Sequence, residues 1–208
     1  PTMSDVNTAV WHNHKTKKTH VSNRGSTSAY DFLVSDMQIL AGAENFGSRF
    51  QKAVKRTQDA HDKYGYNVST SGHSLGGQAS RITTEKLGNN DWYDGGTGFN
   101  SGMSSVGRDH FIRRALSACS YKNPPAYCHK QTNIKEKNDF ISSRNVLCDL
   151  RTFGMGGKMC EKKDTFGTTK TYDHRDKLRW THALTPSEYP PIRNFTHGLE
   201  NHTLGTFE

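Results

Sequence analysis

Apolar and small residues recur at positions 50, 53, 54, 57, 60 and 64, the 3.6-residue spacing of a helix that buries one face. Ser48 can cap its start and Gly65 can stop it, so a helix is predicted over 48–64. Two shorter runs, Ala9-Val10-Trp11-His12-Asn13 and Thr19-His20-Val21-Ser22-Asn23, read as strands. They flank a Lys-rich turn at 14–18, the pattern of a hairpin. Tyr66-Asn67-Val68-Ser69-Thr70-Ser71 alternates larger and smaller side chains and reads as another strand. Residues 78–87 have helical character, with Ala79, Ile82 and Leu87 on an inner face.

Elsewhere the pattern is weaker. A short amphipathic stretch covers 32–40, and 89–107 is rich in Gly, Asn and Ser, with only Thr97-Gly98-Phe99-Asn100 resembling a buried strand. A helix is predicted over 108–118 and is broken off by Pro124-Pro125. Residues 131–137 read as a strand, followed by a long irregular region to Pro191. No internal repeat is visible. Strands alternating with helices predict an α/β sheet covered on both faces, and 208 residues predict a single domain over 1–208.

Composition narrows this picture. Only 32% of residues are hydrophobic and the mean hydropathy is −0.85, so the core must be lean. No apolar run is long enough for a transmembrane helix or a signal peptide, and compartment stays open. A net charge of +8 favours anionic partners, such as peripheral contact with an anionic membrane surface. The basic residues are dispersed, however, and no aromatic-basic stripe supports a specific nucleic-acid partner. Cys119, Cys128, Cys148 and Cys160 form no C-x-x-C pair, which argues against zinc; two disulfides and free buried thiols are both open. His12-Asn13-His14 lacks the separation of the nuclease motif it spells, although its two histidines could share a strand face and bind a metal. Asn67, Asn194 and Asn201 head N-glycosylation sequons; Asn67 is expected in a core strand, where a glycan would not fit.

Gly72-His73-Ser74-Leu75-Gly76-Gly77 carries the chemistry. It fits G-x-S-x-G between a predicted strand and a predicted helix, the setting of a nucleophile elbow. Ser74 would sit on a strained turn, with glycines on either side supplying room. The helix that follows aims its first N–H groups at the place where an oxyanion would form. A serine hydroxyl needs a base, and the base needs a group that fixes its tautomer. In the order nucleophile, acid, histidine, Asp139 follows the strand 131–137, with Asp149, Asp173 and Asp176 as competitors. His202 near the C-terminus is the candidate base, ahead of His197.

Four separated segments together resemble the class 3 (fungal-type) lipase family of the α/β-hydrolase superfamily. Arg24-Gly25-Ser26-Thr27-Ser28 with Leu33-Val34-Ser35-Asp36 is similar to the family's oxyanion loop, and residues 72–77 to its elbow. Asn138-Asp139-Phe140-Ile141 is similar to its acid motif and Asn201-His202-Thr203-Leu204 to its closing histidine segment. The resemblance implies an α/β-hydrolase fold, a mostly parallel central sheet flanked by helices. It implies Ser74 as nucleophile, His202 as base and Asp139 as its orienting carboxylate, with oxyanion donors from Ser26 and Leu75. Asp36 and His73 would support them from behind. Ester hydrolysis through an acyl-enzyme, with no metal and no cofactor, is the expected reaction. This sequence departs from the family in the polar strand His20–Ser22–Asn23 and in one extra residue between Gly25 and Asp36. Only residues 41–47 are available for a lid, which predicts a minimal one and small esters, lysophospholipids or phospholipids as substrates. A structural or interaction protein that keeps the fold, such as a component of a viral particle or other large assembly, is the competing expectation.

Overall fold

Val10 and Val21 face one another across the predicted hairpin, which forms between β1 (Thr8–Asn13) and β2 (Lys18–Asn23). The computed structural model describes residues 3–25, 48–101, 125–136 and 166–172. Within them, β1, β2, β3 (Asn67–His73), β4 (Tyr93–Phe99), β5 (Gln131–Glu136) and β6 (Thr168–Tyr172) form one sheet in chain order. Only the β1–β2 pair is antiparallel; the other four pairings are parallel. Helix α1 (Ser48–Tyr64) occupies the predicted range, and α2 (Leu75–Leu87) begins directly after Ser74. The fold is α/β, with a mostly parallel six-stranded sheet flanked by helices.

The two helices pack on each other and on β2 and β3, so they share one face of the sheet. Phe50 and Ala53 of α1 bury against Leu75, Ala79 and Ile82 of α2. A second apolar cluster joins Val10, Val21 and Val68 of the sheet to Ala60 of α1. On β2 and β3 the residues turned away from the helices are polar: His20 lies between the Ser69 hydroxyl (2.9 Å from Nδ1) and the Ser71 hydroxyl (2.8 Å from Nε2).

Between α2 and strands β3–β5 the core is a chain of hydrogen bonds. Thr84 contacts both Gln131 Oε1 and the Tyr93 hydroxyl at 2.8 Å; Thr70 contacts both Tyr93 and Ser80 at 2.7 Å. The Gln131 amide oxygen, and the Ser80 carbonyl 3.1 Å away, can only accept, so the Thr84 hydroxyl is their shared donor. Tyr93 must then donate to Thr84, Thr70 to Tyr93, and Ser80 to Thr70. The Gln131 amide donates onward to Asn133 Oδ1 at 3.0 Å, and Asn133 to the Phe166 carbonyl at 2.8 Å. All hydroxyls thus point one way, an arrangement in which each bond polarises the next. This is how a chain with few apolar residues fills its interior.

Two strands escape the periodicity argument. β4 begins at Tyr93 rather than Thr97 because Gly95, Gly96 and Gly98 mask it in the sequence. A Cβ on Gly96 would overlap the Thr84 hydroxyl and the Gln131 amide, so the missing side chain makes room for the hydrogen-bonded chain. β6 lies inside the stretch expected to be irregular; all five of its residues are exposed, and three are β-branched threonines. Asn67 lies in β3, as expected, and is exposed at its start, where it donates to Asp94 at 2.9 Å. Cys128 is disulfide-bonded, which removes the free-thiol alternative for that residue. The predicted helix at 108–118, the 41–47 segment and the other three cysteines lie outside the described residues. Among the described residues, no helix is long and apolar enough to cross a membrane.

Two predictions follow from these polar contacts. Burial pushes the Tyr93 phenol up to about 12, against the smaller opposing pull of Thr70 and Thr84. Tyr93→Phe cuts the chain at its centre, leaving one donor and one acceptor buried, and should cost about 1–3 kcal/mol in urea unfolding. Burial also holds the His20 imidazole below its ordinary value of 6.5. The native state therefore keeps His20 neutral where the unfolded chain is protonated, and stability should fall as pH drops below about 6.5 until the lowered folded value is passed. Urea midpoints at pH 7 and pH 5 measure this, and His20→Gln should flatten the difference.

Candidate active site

Ser74 is the residue on which β3 ends and α2 begins. Its φ of 55° and ψ of −121° lie in a region that non-glycine residues rarely occupy. The turn is anchored on both sides: the Ser74 N–H donates to Phe99 O at 2.9 Å, and its carbonyl accepts from Gln78 N–H at 3.2 Å. Ser74 stands at the N-cap position, yet its hydroxyl makes no capping bond to the helix. At 7% exposure Ser74 is buried.

Two glycines make this turn feasible through close approach. A Cβ on Gly76 would overlap the Asn23 carbonyl and come 2.8 Å from Arg24 O. A Cβ on Gly72 would overlap the Gly76 backbone and come 2.7 Å from Asn23 O. The end of β2 therefore runs at backbone distance past the first turn of α2. Gly25 also approaches this turn: its Cβ position is 2.9 Å from His73 O and 3.6 Å from Ser74 Cβ. From α1, the Arg49 guanidinium donates to Arg24 O at 2.6 Å and to Gly25 O at 3.0 Å, fixing this approach.

The sequence-predicted residues divide accordingly. Ser74 and Leu75 share the elbow, with Leu75 fully buried as the first residue of α2. Its position leaves its N–H without an intrahelical acceptor. His73 precedes them at the end of β3, with Ser69 and Ser71 on the strand side turned away from the helices. Ser26, Asp36, Asp139 and His202 lie outside the described residues, as do Asp149, Asp173, Asp176 and His197. Arg49 was not singled out from sequence. Its signal was electrostatic: it is a cation in the first turn of a helix that has no acidic residue there, where the dipole disfavours it.

Other chemistry finds less support in the geometry. His12 and His14 have ring centroids 4.6 Å apart, but His12 stacks on Tyr64 and His14 Nδ1 meets the Tyr66 hydroxyl at 3.0 Å. They belong to an aromatic cluster beside the hairpin turn, at the far end of the strands from Ser74. Among the described residues, no group of three or more His, Cys, Asp or Glu side chains could hold a metal ion.

No protein-family model matches this chain, and no curated protein matches it. Among solved structures it is similar to the Rhizomucor miehei lipase in its propeptide complex, at 16% identity over 96% of this chain and 65% of that one (TM-score 0.49). It is also similar to the Lip2 lipase of Yarrowia lipolytica, at 14% identity over 80% of this chain and 59% of that one (TM-score 0.44). Nonglycosylated Lip2 of the same organism gives 16% identity over 79% and 60% (TM-score 0.41). The chain thus spans less than two thirds of the length of each lipase. At these identities and TM-scores the likeness says nothing about activity.

The strain at Ser74 is measurable. Ser74→Gly should raise the unfolding free energy by about 1 kcal/mol, because glycine adopts this φ without the cost of about 1–3 kcal/mol. Gly76→Ala should lower it by about 3 kcal/mol, since the methyl meets backbone atoms of β2 that cannot rotate away. Urea unfolding of the two variants, monitored by circular dichroism, checks both signs.

Proposed function

We propose that this chain is a serine-dependent carboxylic ester hydrolase of the lipase, phospholipase or esterase kind, acting through an acyl-enzyme. The observation that carries the reading is Ser74 itself: a strained, non-capping serine between a parallel strand and a helix N-terminus, packed by glycines. Glycine would adopt that φ without strain, so the serine side chain is kept there at a conformational cost.

In this mechanism the Ser74 hydroxyl attacks the ester carbonyl while His202 takes its proton. Asp139 holds the imidazole in the required tautomer and balances the imidazolium charge. The tetrahedral oxyanion accepts hydrogen bonds from the N–H groups of Leu75 and Ser26. The alcohol leaves with the proton from His202, and water repeats the sequence to release the acid and free Ser74. The Ser26 assignment draws support from Gly25, its chain neighbour, whose Cβ position is 3.6 Å from Ser74 Cβ. Asp139 follows the end of β5 by three residues. The roles of Asp36 and His73 as braces belong to the same proposal.

Substrates on this reading are small or single-chain esters and phospholipid esters, with the net charge of +8 favouring anionic lipid surfaces. The disulfide at Cys128 is chemistry of an oxidising compartment.

A fluorophosphonate probe should label the wild-type chain and leave a folded Ser74→Ala variant unlabelled. Turnover of a p-nitrophenyl ester should fall by several orders of magnitude in that variant, and roughly 10²–10³-fold when Ser26 is altered. Equal hydrolysis by folded Ser74→Ala would remove the assignment and favour a protein that keeps only the architecture.

A further inference from the structure

We propose that Asn100 is a positioning residue: its side chain replaces its own backbone carbonyl in the β4–β5 ladder and so locks the strand leading to the acid onto the strand that anchors the nucleophile. This rests on the hydrolase reading above for its catalytic meaning.

The register pairs Phe99 with Ile134. At the next residue the Asn100 N–H still donates to Ile134 O at 2.8 Å, as a continued parallel ladder requires. In such a ladder the Asn100 carbonyl would then accept from the Glu136 N–H. Instead the chain turns out of the sheet at Asn100, with φ at +41°. The side-chain Oδ1 accepts from Glu136 N–H at 2.8 Å in its place. Asn100 is fully buried, so water cannot replace that bond. One residue earlier, Phe99 O receives the Ser74 N–H at 2.9 Å. Two consecutive residues thus hold the nucleophile's turn and the last residue of β5, from which Asp139 is three positions on in the chain.

Asparagine alone satisfies three conditions together. It tolerates positive φ, it supplies an acceptor at side-chain length, and it adds no charge beside the buried Glu136. Glycine meets the first condition only, and serine's hydroxyl falls one atom short. Aspartate meets the first two. Because catalysis is sensitive to displacements of about 1 Å, loosening the end of β5 should act on turnover more than on substrate binding.

The test compares wild type with Asn100→Gly. Amide exchange at Glu136, read by NMR, should accelerate at least tenfold in the variant. For a p-nitrophenyl ester, kcat should fall about 10–100-fold with KM within threefold. Asn100→Asp should restore slow exchange relative to Asn100→Gly, because its carboxyl still accepts, but at lower stability than wild type because it adds a second carboxyl beside Glu136; if Asn100→Gly does not fold, Asn100→Ser makes the same comparison. Unchanged exchange at Glu136, or faster exchange with kcat intact, overturns the proposal. A wild-type chain that neither takes the fluorophosphonate probe nor hydrolyses the ester overturns the hydrolase reading first, and Asn100's catalytic meaning with it.

Discussion

Helix α2 lies against the sheet at backbone distance, and most of what is unusual in this protein follows from that. Gly76 faces the Asn23 carbonyl, Gly77 and Gly98 face the Ser101 hydroxyl, and Gly96 faces Thr84 and Ser80. At such spacing there is no volume for leucine or isoleucine layers between helix and strands. What fits is short and polar, and a buried polar group must be hydrogen-bonded. The one-way chain from Ser80 through Tyr93 to Gln131 meets that demand for the side chains it joins. Apolar burial is displaced to the flanks, where α1 meets α2 and where it covers the hairpin. The low hydrophobic content is therefore not a sign of a weak core but of a thin one.

The same closeness defines the elbow. A helix held farther off would let β3 run into α2 through a longer loop, and Ser74 could relax. Held close, the chain must reverse in one residue, and the strain falls on the serine. Anchors on every side then keep it there: Phe99 O on its N–H, Gln78 on its carbonyl, and the Arg49-fixed strand end against Gly76. β4 is the common partner, since it supplies both the bond to Ser74 and, through Asn100, the bond to β5.

How much of this could be read beforehand depended on the kind of signal. Helix 48–64 and the hairpin were legible to within a residue or two, because Phe50, Ala53 and Ala60 bury at helical spacing and Val10 and Val21 at strand spacing. The elbow was legible because its glycines are a steric necessity written as a motif. β4 was legible only in its last residues, Thr97–Phe99: three glycines in seven residues look like a loop to an argument from periodicity. β6 was missed for a different reason, as a strand whose residues are all exposed has no buried face to imprint a pattern. Arg49 and Asn100 act through backbone carbonyls and amides of distant segments, and no local pattern records such a partner. Of the expected site, Ser74, Leu75 and His73 fall within the described residues, and Ser26, Asp36, Asp139 and His202 do not.

A strained residue of about 1–3 kcal/mol is a large burden against a domain stability of about 5–15 kcal/mol, and this chain has little apolar area with which to offset it. Its hydrogen bonds offset it differently. Each contributes only about 1 kcal/mol net, but leaving a buried group unmatched costs the full desolvation penalty. A core built from a connected chain is therefore steep: near its native geometry the bonds from Ser80 to Gln131 are all made, and a small displacement unmatches several groups together. An apolar core of equal depth would tolerate sliding of α2 along the sheet. This one does not, and it holds Ser74 off its preferred conformation against the ends of β2 and β4.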